Sequence, residues 1–147
     1  MFSQSLKSIV PTFCYFVLSS LAIVGCNSGP ELIPISGQVK IDGKPLELGT
    51  VTVWVKDYRP AYGAIGPDGR FALRTHKPGD GCRPGTHRVT VSSETAGKGD
   101  IMKYFAPKRY KEPDQSGLEI QVEQPRDDWE INLTWAGDSH DGPYTEQ

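Results

Sequence analysis

From Ile35 onward, apolar residues recur at every second position in short runs separated by Gly, Pro and Asp, and no stretch carries the 3.6-residue period of an amphipathic helix. That pattern suits half-buried strands and little else. Ile35, Gly37, Val39 and Ile41 share one face of the first run, and Asp42-Gly43 turns it. Val51, Val53 and Val55 line the second, with Thr52 and Trp54 opposite. A third run, Ala61 to Ile65, meets Gly66-Pro67-Asp68-Gly69 and returns through Arg70-Phe71-Ala72-Leu73-Arg74, a hairpin with explicit turn chemistry. A Gly- and Pro-rich loop from Lys77 to Gly85 leads to a strand with His87, Val89 and Val91 inward. After an irregular segment from Ser93 to Ser116, two more strands run from Leu118 to Val122 and from Trp129 to Trp135. About seven strands with frequent turns predict an all-β, immunoglobulin-like sandwich. It is expected to span residues 35–136, and the tail 137–147, which lacks apolar alternation, is expected to be disordered.

The first 25 residues follow another logic. Lys7 and the α-amino group precede an apolar stretch from Ile9 to Val24, interrupted by Pro11, Thr12, Ser19 and Ser20. A spanning helix wants about 20 apolar positions, so the stretch reads as an export signal. Its end, Ile23-Val24-Gly25-Cys26, resembles the lipobox of bacterial lipoproteins, with an aliphatic residue three before the cysteine and a small one just before it. The resemblance implies that residues 1–25 are removed and that Cys26 is lipidated. Each buried methylene contributes about 0.8 kcal/mol, so two or three acyl chains anchor stably to a membrane. Asn27 stands where an inner-membrane retention signal would have Asp, which points to the outer membrane. Residues 26–34 are expected to form a flexible tether.

Cysteine and charge exclude more than they suggest. Cys14 leaves with the signal and Cys26 is acylated, so Cys82 is the single remaining thiol and no disulfide framework forms. The chain carries a net charge of −2, and Lys7 is the only charged side chain of the leader, so nucleic acid is not an implied partner. The basic aromatic run Lys103-Tyr104-Phe105-Ala106-Pro107-Lys108-Arg109-Tyr110-Lys111 is expected to face phospholipid, glycan or solvent.

Five short motifs carry a second resemblance. They are Ser36-Gly37-Gln38-Val39, Asp42-Gly43-Lys44-Pro45-Leu46, Gly49-Thr50-Val51-Thr52-Val53, Gly66-Pro67-Asp68-Gly69-Arg70-Phe71 and Pro84-Gly85-Thr86-His87-Arg88-Val89-Thr90-Val91. Together they resemble the carboxypeptidase-regulatory-like, transthyretin-like sandwich. Tyr110 and Ser116-Gly117-Leu118 resemble the closing segment of small bacterial lipoproteins of that class. The resemblance implies an accessory, non-enzymatic domain; His87 departs from it where Tyr is common.

Two enzyme classes on the same sandwich form the alternative. Intradiol dioxygenases hold iron with two Tyr and two His, but here His87-Arg88-Val89 replaces their His-x-His pair and no Tyr follows Pro78-Gly79. Hydroxyisourate hydrolases end in Tyr-Arg-Gly-Ser, whereas this chain ends Gly-Pro-Tyr-Thr-Glu-Gln. An enzymatic site would require His76, His87, Tyr104 and Tyr110 to converge. The acidic turns Asp42-Gly43, Asp68-Gly69, Asp80-Gly81 and Asp141-Gly142 lack the alternating carboxylates of a calcium loop. The expectation is therefore a lipid-anchored envelope protein without catalytic residues, metal or cofactor. Trp54, Tyr58 and Tyr62 are its candidate ligand surface, their rings either stacking on a glycan or simply covering the core, with core cover the favoured role, while an exposed sheet edge could take up an envelope protein.

Overall fold

The computed structural model describes residues 31–147, so the leader, the lipobox with Cys26 and the first part of the tether lie outside the described residues. Strand β1 (Ile35–Ile41) sends Ile35, Gly37 and Val39 inward. Asp42 and Gly43, both left-handed at φ 46° and 79°, then turn it into β2 (Lys44–Pro45), the geometry for which an Asp-Gly pair is suited. β3 (Gly49–Trp54) and β4 (Ala61–Ile65) alternate similarly, with Val51, Val53, Ala61 and Ile65 buried. β5 (Arg70–Ala72), β6 (Gly85–Ser92), β7 (Glu94–Ala96) and β8 (Met102–Tyr104) precede a 3-10 turn at Lys108–Lys111. β9 (Leu118–Val122), β10 (Arg126–Leu133) and β11 (Tyr144–Glu146) complete the chain.

The architecture is an all-β sandwich. One layer is the antiparallel sheet β4-β3-β6-β9. The other centres on β1, which pairs with β10 in parallel along one side. Its opposite side is shared, the first half by β5 and the end by β2. Val39, Val51, Val53, Leu73 and Val89 are wholly buried between the layers, and Phe71 meets Trp129 edge-on at 5.6 Å. Full burial of such side chains contributes about 1.5–3 kcal/mol each. Gly37 is required where the β1–β10 register slips, because a Cβ there would stand 1.9 Å from the Trp129 carbonyl oxygen. The layers are also joined by backbone hydrogen bonds just beyond β5. The Leu73 N–H donates to the Ile35 carbonyl at 2.8 Å, and the next residue, Arg74, exchanges both backbone bonds with Tyr62 at 2.9 and 3.0 Å.

The boundaries of the domain differ from those expected. Ile33 is buried and exchanges two backbone hydrogen bonds with Cys82 at 2.8 and 3.0 Å, so the tether placed at 26–34 stops short of Ile33. One apolar residue next to Pro34 carries no period by which to find it. The segment 93–116, expected to be irregular, contains β7 and β8, and the tail 137–147, expected to be disordered, supplies β11. These three form an antiparallel sheet in the order β11-β8-β7. Three-residue strands are too short for alternation to reveal. Aromatic stacking holds this sheet's edge, with Tyr144 5.1 Å from Tyr104 and 3.6 Å from His140, ring to ring.

Candidate functional site

Trp54 and Tyr62 are the large hydrophobic side chains left exposed among the described residues, at 45% and 39%. Alternation places both on the outward face of the β4-β3-β6-β9 sheet. Thr52 pairs with Tyr62 on one side and Thr90 on the other, so Trp54, two residues on, is a diagonal neighbour of Tyr62. The Trp54 Nε1–H donates to Thr90 Oγ1 at 3.0 Å, which folds the indole back over the sheet. The Arg74 guanidinium lies 4.6 Å from the centre of the Tyr62 ring.

Tyr58 extends this surface from the connection between β3 and β4. Its ring lies 4.7 Å from the Arg83 guanidinium, and its hydroxyl is 2.7 Å from His76 Nε2. Arg59 reaches the other ring nitrogen of His76, Nδ1, at 3.4 Å. Arginine only donates, so Nδ1 accepts; in the neutral ring Nε2 then carries the proton and donates to Tyr58. Asp80 fixes the loop that presents His76. Its carboxylate accepts the backbone N–H groups of Thr75, His76 and Lys77 at 2.7, 2.9 and 2.8 Å. Partial burial opposes ionisation of Asp80, but those three bonds, helped by nearby His76, outweigh it and hold its pKa below the ordinary carboxylate value.

The residues that an enzyme would have to assemble have separate partners. His87 is buried with Nε2 2.9 Å from the Arg83 carbonyl, Tyr104 stacks on Tyr144, and the Tyr110 hydroxyl accepts the Thr134 N–H at 3.2 Å. Cys82 has no exposed surface, and burial pushes its thiol up to about 11 against a bond from the Arg83 backbone. It is an unreactive core thiol at neutral pH. Two of the acidic turns bind nearby chain: Asp42 accepts from the Thr134 hydroxyl at 2.6 Å and the Trp135 N–H at 3.4 Å, and Asp68 accepts from the Arg70 N–H at 3.0 Å. Among the described residues no group of three His, Cys, Asp or Glu side chains is placed to hold a metal, and no helix is long and apolar enough to cross a membrane.

The basic aromatic run 103–111 is engaged within the protein. Lys108 pairs with Glu146 and Lys111 with Glu94, whose hydrogen bond holds the Lys111 ammonium above its usual pKa. Arg109 donates to the Thr134 and Ala136 carbonyls and reaches Asp138 at 3.5 Å, clamping the 3-10 turn to the end of β10.

Of the three aromatic residues named from the sequence, Trp54 and Tyr62 are exposed and Tyr58 is half-buried; Arg59, His76 and Arg83 were missed as companions of Tyr58. Only Arg74 was legible, as the outward neighbour of inward Leu73. A cleft of about 630 Å³ was also missed, lined by Ile41, Leu46, Phe105 and Trp135 with Asp42 and Asp141 among its polar groups. It forms between the β1–β2 turn and the tail, and no local pattern announces such a meeting. Comparison with known protein families, with curated proteins and with solved structures finds no match for this chain.

Proposed function

We propose that this chain is a lipid-anchored protein of the bacterial cell envelope, held by acylated Cys26 and facing the periplasm or the cell surface, most simply from the outer membrane. Its transthyretin-like sandwich is a non-enzymatic binding module that presents Trp54, Tyr58 and Tyr62 to a ligand. The observation that carries this reading is the exposure of Trp54 and Tyr62 on one sheet face, with Tyr58 in the loop joining their strands. Aromatic rings with a free face and a polar handle favour recognition over core packing. The separate partners of His76, His87, Tyr104 and Tyr110 support binding over catalysis.

Two measurements test the two halves of the proposal. Metabolic labelling with a radioactive fatty acid should mark the wild type, whereas Cys26→Ala should remain unlabelled and uncleaved; label persisting in the variant removes the anchor. Envelope fractions captured by tagged full-length protein should lose their bound material when Trp54 and Tyr62 are both changed to Ala. Equal capture by wild type and variant would discard this face as the site.

A further inference from the structure

The aromatic face carries cations that the rest of the protein leaves unneutralised. Arg59, Arg74 and Arg83 form no ion pair with a carboxylate among the described residues. Arg74 lies on the Tyr62 ring and Arg83 on the Tyr58 ring, while Arg59 donates to Nδ1 of His76. Exposed Lys56 and Lys77 stand in the two loops that carry Tyr58 and His76. Those loops hold two carboxylates. Asp80 is occupied by three backbone N–H groups, and Asp57 occupies a left-handed turn at φ 56° with its side chain in solvent. In a chain whose net charge is −2, positive charge is therefore concentrated on this surface.

A guanidinium laid on a tyrosine covers the ring with its flat face while its N–H edge stays available for an oxyanion. We propose that this face binds an acidic polysaccharide, the apolar faces of its sugar rings packing on Trp54 and Tyr62 and its carboxylate, sulfate or phosphate groups meeting Arg59 and Arg74. This rests on the reading of the same face as the binding surface. Trp54 lies on β3, Tyr62 on β4, and Arg74, just beyond β5, is bridged to Tyr62, so the platform spans about 10 Å across three neighbouring segments. The geometry favours a chain of sugars over a lipid surface. Insertion into a bilayer needs apolar side chains free to leave the protein, whereas the Trp54 indole is tied down by Thr90.

The test uses the detergent-solubilised full-length protein with three probes: polygalacturonate, neutral dextran and vesicles of anionic phospholipid. Polygalacturonate should bind, weaken as salt is raised, and bind at least tenfold more tightly than dextran. Arg59→Gln and Arg74→Gln should each weaken that binding about three- to tenfold and flatten its salt dependence, and Tyr62→Ala should weaken it about tenfold. All three side chains are exposed, and unchanged thermal unfolding would show that the variants fold. No binding of polygalacturonate, or equal binding of dextran, overturns the proposal. So does binding of vesicles that these substitutions abolish while polygalacturonate stays unbound. If dextran binds equally and Tyr62→Ala still abolishes binding, the acidic preference fails while the surface itself survives. If Trp54 and Tyr62 variants bind every probe like wild type, the surface fails as well.

Discussion

Two parts of this molecule are rich in both aromatic rings and cations, and they use them oppositely. In the 103–111 segment Lys103 lies over the Phe105 ring, but the other three cations find acceptors within the protein: Lys108 meets Glu146, Lys111 meets Glu94, and Arg109 fastens two carbonyls and Asp138. On the outer face around Tyr58 and Tyr62, the guanidiniums of Arg74 and Arg83 rest on rings and that of Arg59 donates to a nitrogen of His76. The denser cluster in sequence is thus the one tied into the fold, and the arginines scattered from Arg59 to Arg83 are the ones without a carboxylate partner among the described residues. What separates them is whether a carboxylate or carbonyl lies opposite each cation, which depends on long-range packing.

Substitutions along the chain should keep stability and recognition apart if this contrast is right. The largest effect is expected where the outer face meets the core. Leu73→Ala should destabilise by about 3 kcal/mol because its side chain is fully buried, while neighbouring Arg74→Ala stays within about 0.5 kcal/mol. Denaturant midpoints read both, and equal shifts would show that inward and outward sides have been confused. Arg109→Ala should cost about 2 kcal/mol through lost charged hydrogen bonds, with polyanion binding unchanged. A loss of binding without a loss of stability would merge the two regions.

Asp80→Asn should cost about 1 kcal/mol, since an amide cannot accept three N–H groups as a carboxylate does. The pH dependence has a definite sign. The pKa of Asp80 is lowered on folding from 3.8, so its stabilisation is complete above the unfolded value and disappears as pH falls through the folded one. Acid unfolding below about pH 4 should therefore be steeper in the wild type than in the variant, as followed by circular dichroism. The smallest effect is expected at Lys111→Ala, within about 0.5 kcal/mol, because its pair with Glu94 is partly open to solvent.

The sandwich was legible because long strands repeat their pattern often enough to be read. Val51, Val53 and the alternating set Trp129, Ile131 and Leu133 all point inward as their spacing requires. Asp42-Gly43 likewise gives its turn away through residue chemistry. The sequence reading failed where structure is made by distant segments meeting. Ile33 is fastened by Cys82, Tyr144 by Tyr104, and the cleft beside Trp135 by the β1–β2 turn, none of which leaves a period behind. Trp54 and Tyr62 were recoverable from strand alternation, but two companions of Tyr58, His76 and Arg83, arrive from the Thr75–Gly81 loop and the residues after it, outside any strand pattern that includes Tyr58.

The parallel pairing of β1 with β10 has a consequence for the order in which the chain matures. Ile35 faces Arg126 and Ile41 faces Leu133, so the first strand made has one whole side reserved for the last long one. Closing so wide a loop carries an entropic cost that nearby contacts cannot offset, and sheets dominated by such pairings fold in milliseconds to seconds. Until residue 133 has been delivered, β1 offers a row of unpaired amides beside the apolar side chains of Ile35, Val39 and Ile41, a template for pairing with a neighbouring chain. The hazard of aggregation is therefore concentrated in that interval, and substitutions that weaken β10 should be felt first as lost yield of soluble protein.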